Sequence, residues 1–183
     1  MAAHLILRKI LKTGFVSEPA PEADPALRIR EQDLHSEILR VFGQAVVVRH
    51  VDAGSCNGCE LEIHALNGPH YNIEGAGVKF AASPRHADLL LVTGPVSRNL
   101  ELALKRTYEA TPEPKWVVAM GDCGCGRGEI GGLFGANYAS LGKVADVIPV
   151  DVEVPGCPPT PETILRGILA AVSGLASGVE KGA

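Results

Sequence analysis

The chain has 183 residues and is 46% hydrophobic, enough for one core with an appended arm. Its net charge of −4 and the absence of a basic patch interleaved with aromatics speak against nucleic acid as a partner. No apolar run reaches a membrane span of about 18 residues and no secretory leader is recognisable, so the five cysteines are expected in the reducing cytoplasm.

Residues 5–11 pattern as a short amphipathic helix, with Leu5, Ile6, Ile10 and Leu11 set against Arg8, Lys9 and Lys12. Such an arm is expected to touch a membrane surface or a partner. Residues 15–26 are rich in proline and acids and read as a linker. Leu34, Ile38, Leu39 and Phe42 have helical spacing within residues 33–42. Residues 45–51 form the first expected strand, and a helix starts near Leu61. Strands follow at 78–82, at the Leu-Leu-Leu-Val run within 88–93, at 116–120 and at 147–150. The run at 88–93 has the continuous apolar character of a buried parallel strand. Helices are expected at 100–108 and at 160–175, the second opened by Thr160-Pro161.

The alternation predicts an α/β domain, a mainly parallel sheet covered on both faces. The domain division is an arm and linker at 1–30, the α/β domain at 31–176 and a small, polar, flexible tail at 177–183.

Every cysteine falls just after an expected strand. Cys56 and Cys59 follow the first, Cys123 and Cys125 follow the Trp116 strand, and Cys157 follows the Val147 strand. In an open parallel sheet such loops gather on one edge, where ligands bind. A shared metal centre is therefore expected, and two tetrads remain open. Zinc would take Cys56, Cys59, Cys123 and Cys125. An iron–sulfur cluster would take Cys56, Cys59, Cys123 and Cys157, and the Cys157-Pro158 pair, the flanking glycines and the three-loop distribution favour it. Residues 126–131 match G-x-G-x-x-G, but two cysteines separate them from the strand end and Gly131-Gly132 disfavours a following helix. A loop around the metal centre is the expectation there, rather than a nucleotide site.

Four motifs occur in the order of one superfamily: Gly54-Ser55-Cys56-Asn57-Gly58-Cys59-Glu60, Ser83-Pro84-Arg85-His86-Ala87-Asp88, Gly121-Asp122-Cys123-Gly124 and Val154-Pro155-Gly156-Cys157-Pro158-Pro159. Over residues 33–175 the chain resembles the small, cluster-bearing subunit of membrane-bound energy-converting nickel–iron hydrogenases, as in formate hydrogenlyase. That subunit is similar to the B subunit of respiratory complex I, the NADH:quinone oxidoreductase. The resemblance implies a flavodoxin-like fold and one 4Fe-4S cluster held by Cys56, Cys59, Cys123 and Cys157, with no catalytic residue on this chain. It also implies the partners: a hydrogenase large subunit with a counterpart in complex I, a two-cluster ferredoxin-like subunit and membrane subunits. The place would be peripheral, on the cytoplasmic side of the inner (plasma) membrane. Complex I B subunits typically carry adjacent cysteines at the first position, whereas the Cys-x-x-Cys here is the hydrogenase pattern. Cys125 has no ligand counterpart in that pattern.

Three further readings concern charges. Glu60, Glu62 and His64 read first as capping and interface residues at a helix start, with proton coupling to the cluster as the alternative. Arg85 and His86 fit either a partner-facing site or a solvated turn. Asp122, beside Cys123, would place a negative charge near the cluster and lower its potential.

Overall fold

The computed structural model describes residues 45–176, the side chains of 174–176 excepted, and helical pieces at 11–12, 35–36 and 38–40. The linker, the tail and most of the arm lie outside the described residues. So do Leu34 and Phe42 of the expected helix; within it Ile38 is buried and Leu39 half exposed.

Twelve elements carry the fold: β1 (Val46–Asp52), α1 (Gly58–Leu66), β2 (Val78–Phe80), β3 (Leu89–Thr93), β4 (Val96–Ser97), α2 (Glu101–Ala110), β5 (Trp116–Met120), α3 (Asp122–Cys125), α4 (Gly128–Leu133), β6 (Ser140–Gly142), β7 (Val152–Val154) and α5 (Pro161–Ala176). The main sheet runs β2-β1-β3-β5-β7, every pair parallel. Counted among themselves, its strands follow the flavodoxin-like order 2-1-3-4-5. β4 and β6 form a separate antiparallel ribbon.

The two-residue period of the strands sorts the core into two layers. Val46, Val48, Leu89, Leu91, Val118 and Met120 pack under α1 and α5, against Ile63, Leu66, Ile164 and Ile168. Leu90, Val92, Val117 and Ala119 face the other way, against Leu104 of α2, Cys125 and Ile148. A strand apolar on both faces cannot set its register by polarity, because a slip exposes no wrong face. Two aspartates supply the missing information. Val47 N donates to Asp88 Oδ2 at 2.9 Å while Asp88 N donates to Val47 O at 2.8 Å. Val117 N donates to Asp151 Oδ2 at 2.8 Å while Asp151 N donates to Val117 O at 2.9 Å.

Two expectations are corrected. Residues 147–150 are not a strand: a 3-10 turn, Val144–Asp146, delivers Ile148 to the core, and the strand is β7. Pro149 has no N–H for a ladder, and Asp151 occupies Val117 N, so pairing starts at Val152. Residues 126–131 are not a loop throughout, because α4 begins at Gly128. Its glycines are tolerated because α4 lies directly on the preceding turn. A Cβ on Gly131 would stand 2.6 Å from Asp122 O and 2.6 Å from Gly126 C.

Candidate metal centre

β1, β5 and β7 run parallel, so the segments leaving them share the carboxyl edge of the sheet. After β1, the Asp52 carboxylate accepts from the amides of Gly54 and Ser55, both at 2.8 Å, and bends the chain back. Asn57 adopts the left-handed conformation at φ 71°, which asparagine tolerates better than most residues. The chain then enters α1, so that Cys56 lies on the turn and Cys59 in the first helical turn. After β5, Cys123 and Cys125 occupy the single turn α3. After β7, Cys157 follows Gly156 on an irregular segment.

The segments that carry Cys56, Cys59, Cys123 and Cys157 meet. Ideal Cβ positions built on the glycines serve as probes. The point on Gly121 lies 2.9 Å from Cys59 Sγ, 3.6 Å from Cys123 Sγ and 3.7 Å from Gly156 O. The point on Gly58 lies 3.6 Å from Cys56 Sγ and 3.8 Å from Pro158 Cβ. The three loops therefore touch one another, and Gly121 leaves an open cradle between two sulfurs. Cys59 is buried, Cys123 is half-buried, and Cys56 and Cys157 are exposed.

The two less exposed of these four thiols feel the charge of the others. Burial pushes the Cys59 thiol up to about 12, with Cys123, Glu60, Cys56 and Cys157 adding to the rise. Burial also raises Cys123, with Cys157 and Cys56 contributing, while the amides of Gly124 and Cys123 at its sulfur oppose the shift. Four thiolates so placed repel one another, and a bound cation would relieve that repulsion while displacing the protons.

Cys125 stands apart. It packs in the second core layer and its Sγ donates to Ala119 O at 3.4 Å. Burial pushes it to about 12 as well, but the charges around it are Glu153, Arg127 and Asp122, with no other cysteine among them. As placed, the described residues contain no group of three or more His, Cys, Asp and Glu side chains that could hold a metal ion.

A polar network lies behind Cys59. Glu60 accepts from Ser55 Oγ at 2.6 Å and from the Thr93 hydroxyl. Because the Thr93 hydroxyl donates to Glu60, it is left to accept from His50 Nε2, 2.9 Å away. Burial raises Glu60, but the two hydroxyl donors, its own backbone amide and His50 together outweigh it and hold the carboxyl below its ordinary value. A cavity of about 310 Å³ opens beside this network, walled by Arg49, His50, Glu60, His64, Asn67 and Phe80. Burial drives His50 below 6.5, against the pull of Glu60 and Asp52. The unfolded chain thus binds a proton at His50 as pH falls through 6.5, while the folded chain refuses it until lower pH. Stability is accordingly expected to fall with pH below 6.5, down to the lowered folded value. His50→Gln should flatten that slope, and denaturant titrations across pH would show it; parallel slopes would show that His50 does not carry it.

The chain was compared with known proteins. The family profile described as NADH ubiquinone oxidoreductase, 20 Kd subunit, matches residues 56–171. The chain belongs to that family. It is 45% identical over 145 residues to the probable membrane-bound hydrogenase subunit mbhJ of Pyrococcus furiosus, covering 79% of this chain and 84% of that one. It is 40% identical over 139 residues to formate hydrogenlyase subunit 7 of Escherichia coli, covering 76% of this chain but 53% of that protein. Its fold matches a chain of an archaeal respiratory membrane complex, the membrane-bound sulfane sulfur reductase. That match has a TM-score of 0.65 and 29% identity, over 81% of this chain and 79% of the other. Among the described residues no helix is long and apolar enough to cross a membrane.

The sequence motifs placed Cys56, Cys59, Cys123 and Cys157 on the three segments that touch, but sequence reasoning missed their neighbours. Thr93 closes an otherwise apolar strand, and a lone hydroxyl there was the available signal for the Glu60 network. Arg85 and His86 are exposed on a 3-10 turn at the amino end of β3, whereas the cysteine segments leave carboxyl ends.

Proposed function

We propose that this chain is the electron-transfer subunit of a membrane-associated, nickel–iron hydrogenase-like respiratory complex, and that Cys56, Cys59, Cys123 and Cys157 hold one 4Fe-4S cluster. The observation that supports the reading is the contact of the three loops that carry those cysteines, on one sheet edge of a chain whose relatives are named as hydrogenase and formate hydrogenlyase subunits. A bound cluster would supply one-electron reduction and reoxidation.

The chain's own residues prepare the place. Cys59 supplies the buried anchor, on a helix fixed by the core contacts of Ile63 and Leu66. The amides of Cys123 and Gly124 aim at the Cys123 sulfur, an arrangement that tunes cluster potentials. Cys56 and Cys157 keep the outer side open. Leu61, Leu133, Phe134 and Tyr138, all exposed, follow the first and second cysteine segments closely in the chain and suit burial by a partner. The proposed partners are a hydrogenase-type large subunit, a ferredoxin-like subunit and membrane subunits. The proposed place is the cytoplasmic side of the membrane. The family description favours one second reading, a quinone-reducing subunit of complex I type. The Cys-x-x-Cys spacing opposes it.

The test is anaerobic purification followed by iron, sulfide and zinc assays, absorption and low-temperature EPR. About four irons per chain and a band near ~400 nm that bleaches on reduction are expected. A colourless protein with one zinc would overturn the reading. Reduction of the chain's chromophore by hydrogen in the purified complex would separate the hydrogenase role from the quinone role.

A further inference from the structure

Three aspartates among the described residues make the same reciprocal pair of bonds with a residue far away in the chain, in which the Asp amide donates to a partner carbonyl and the partner amide donates to the Asp carboxylate; Asp146 makes it locally, with Lys143. Asp88 does so with Val47 and Asp151 with Val117, each at the amino end of a strand. The third pair stands at the opposite edge. Asp122 N donates to Gly156 O at 2.9 Å, and Gly156 N donates to Asp122 Oδ1 at 2.7 Å.

The position of this third pair gives it consequence. The β5–β7 register ends at Met120 opposite Val154, and Gly121 N still donates to Val154 O at 2.9 Å. The Asp122–Gly156 pair then carries the cross-link beyond the last paired strand residues, to the positions immediately before Cys123 and Cys157. Without it, the Cys157 segment would leave the sheet tied only through Val154. The carboxylate stands in for the backbone carbonyl that β5 no longer presents once the chain has turned into α3. Its bond to Gly156 is charge-assisted and part-buried, which places it among the stronger hydrogen bonds.

We infer that Asp122 is a positioning residue whose carboxylate clamps the Cys157 segment to the Cys123 segment and so sets the separation of those two sulfurs. The clamp acts through its acceptor oxygen, and the negative charge strengthens that bond without setting its geometry. This rests on the proposed ligand set, in which Cys123 and Cys157 bind the same cluster.

Asp122→Asn keeps an acceptor at Oδ1 and removes the charge, whereas Asp122→Ala removes both. The full chain and these two variants would be purified anaerobically with their accompanying subunits, and far-UV circular dichroism would establish that each folds. In the iron-free chain, hydrogen exchange at the Gly156 amide is expected to be about tenfold or more faster in Asp122→Ala, and clearly less accelerated in Asp122→Asn, whose neutral oxygen still accepts but more weakly. In the iron-loaded chain, iron extraction by a chelator should follow the same order, with an altered EPR line shape in Asp122→Ala alone. Unchanged Gly156 exchange in Asp122→Ala would overturn the clamp. Equal acceleration in both variants would overturn it in favour of a role for charge. A parent chain that takes no iron would defeat the ligand set instead, and loss of Gly156 protection in Asp122→Ala would still uphold the clamp.

Discussion

The Cys157→Ala chain is expected to purify without its iron and without the visible band, while Cys125→Ala keeps both. The contrast is sharp because the structural costs run the other way. Cys157 is exposed, so its truncation opens no cavity and should change folding stability by no more than about 0.5 kcal/mol. Cys125 is only 3% exposed and packs against the second core layer, so its truncation should cost about 1 kcal/mol. A thermal melt would therefore rank Cys125→Ala as the less stable of the two, and an iron assay would rank Cys157→Ala as the emptier. Such opposed orders cannot arise from general destabilisation. The reverse outcome, iron kept by Cys157→Ala and lost by Cys125→Ala, would restore the tetrad of Cys56, Cys59, Cys123 and Cys125.

The strands at 89–93 and 116–120 were legible in the sequence because both of their faces are buried, which leaves unbroken apolar runs. The segment at 147–150 has the same apolar character and is not a strand. Hydropathy reports burial, and Ile148 is buried, but it does not report an extended backbone. The clearest evidence against a strand there was Pro149, whose missing N–H was the signal to weigh. α3 and α4 could not be read from propensity, since Gly-rich turns of this length gain their stability from the contact of Gly131 with the backbone beneath it.

The site divides along the same line. Motif order pointed to four cysteines, and the three segments that carry them touch. The groups around them are held by register, which motif order does not carry. Thr93 lies 33 residues from Glu60, and Gly156 lies 34 residues from Asp122. Each pair meets only once the strands β1, β3, β5 and β7 are aligned. Asp122 could be read only as a charge beside Cys123 for this reason, and the bond of its Oδ1 with the Gly156 amide was not legible.

Gly121→Ala tests whether the cradle between the sulfurs has to stay open, and it is expected to lower bound iron to less than about half of the parent level. Two costs fall on this one methyl group. Gly121 has φ +89° and ψ 152°, a region essentially reserved to glycine, where an L side chain costs roughly 1–3 kcal/mol. The added carbon would also lie 2.9 Å from Cys59 Sγ, inside van der Waals contact. Cys59 cannot easily retreat, because it is buried at the start of α1. The strain alone should lower the melting temperature by several degrees, leaving a folded chain. The steric cost falls on the space between Cys59 and Cys123, where a bound group would sit. Gly132 provides the control, since a Cβ there meets nothing within 4 Å. Gly132→Ala should keep its iron and gain some stability, as alanine is favoured over glycine in a helix by about 1 kcal/mol. Full iron in a folded Gly121→Ala chain would mean that the sulfurs move apart freely, and the convergence of the three loops would then be a weaker argument for a shared cluster.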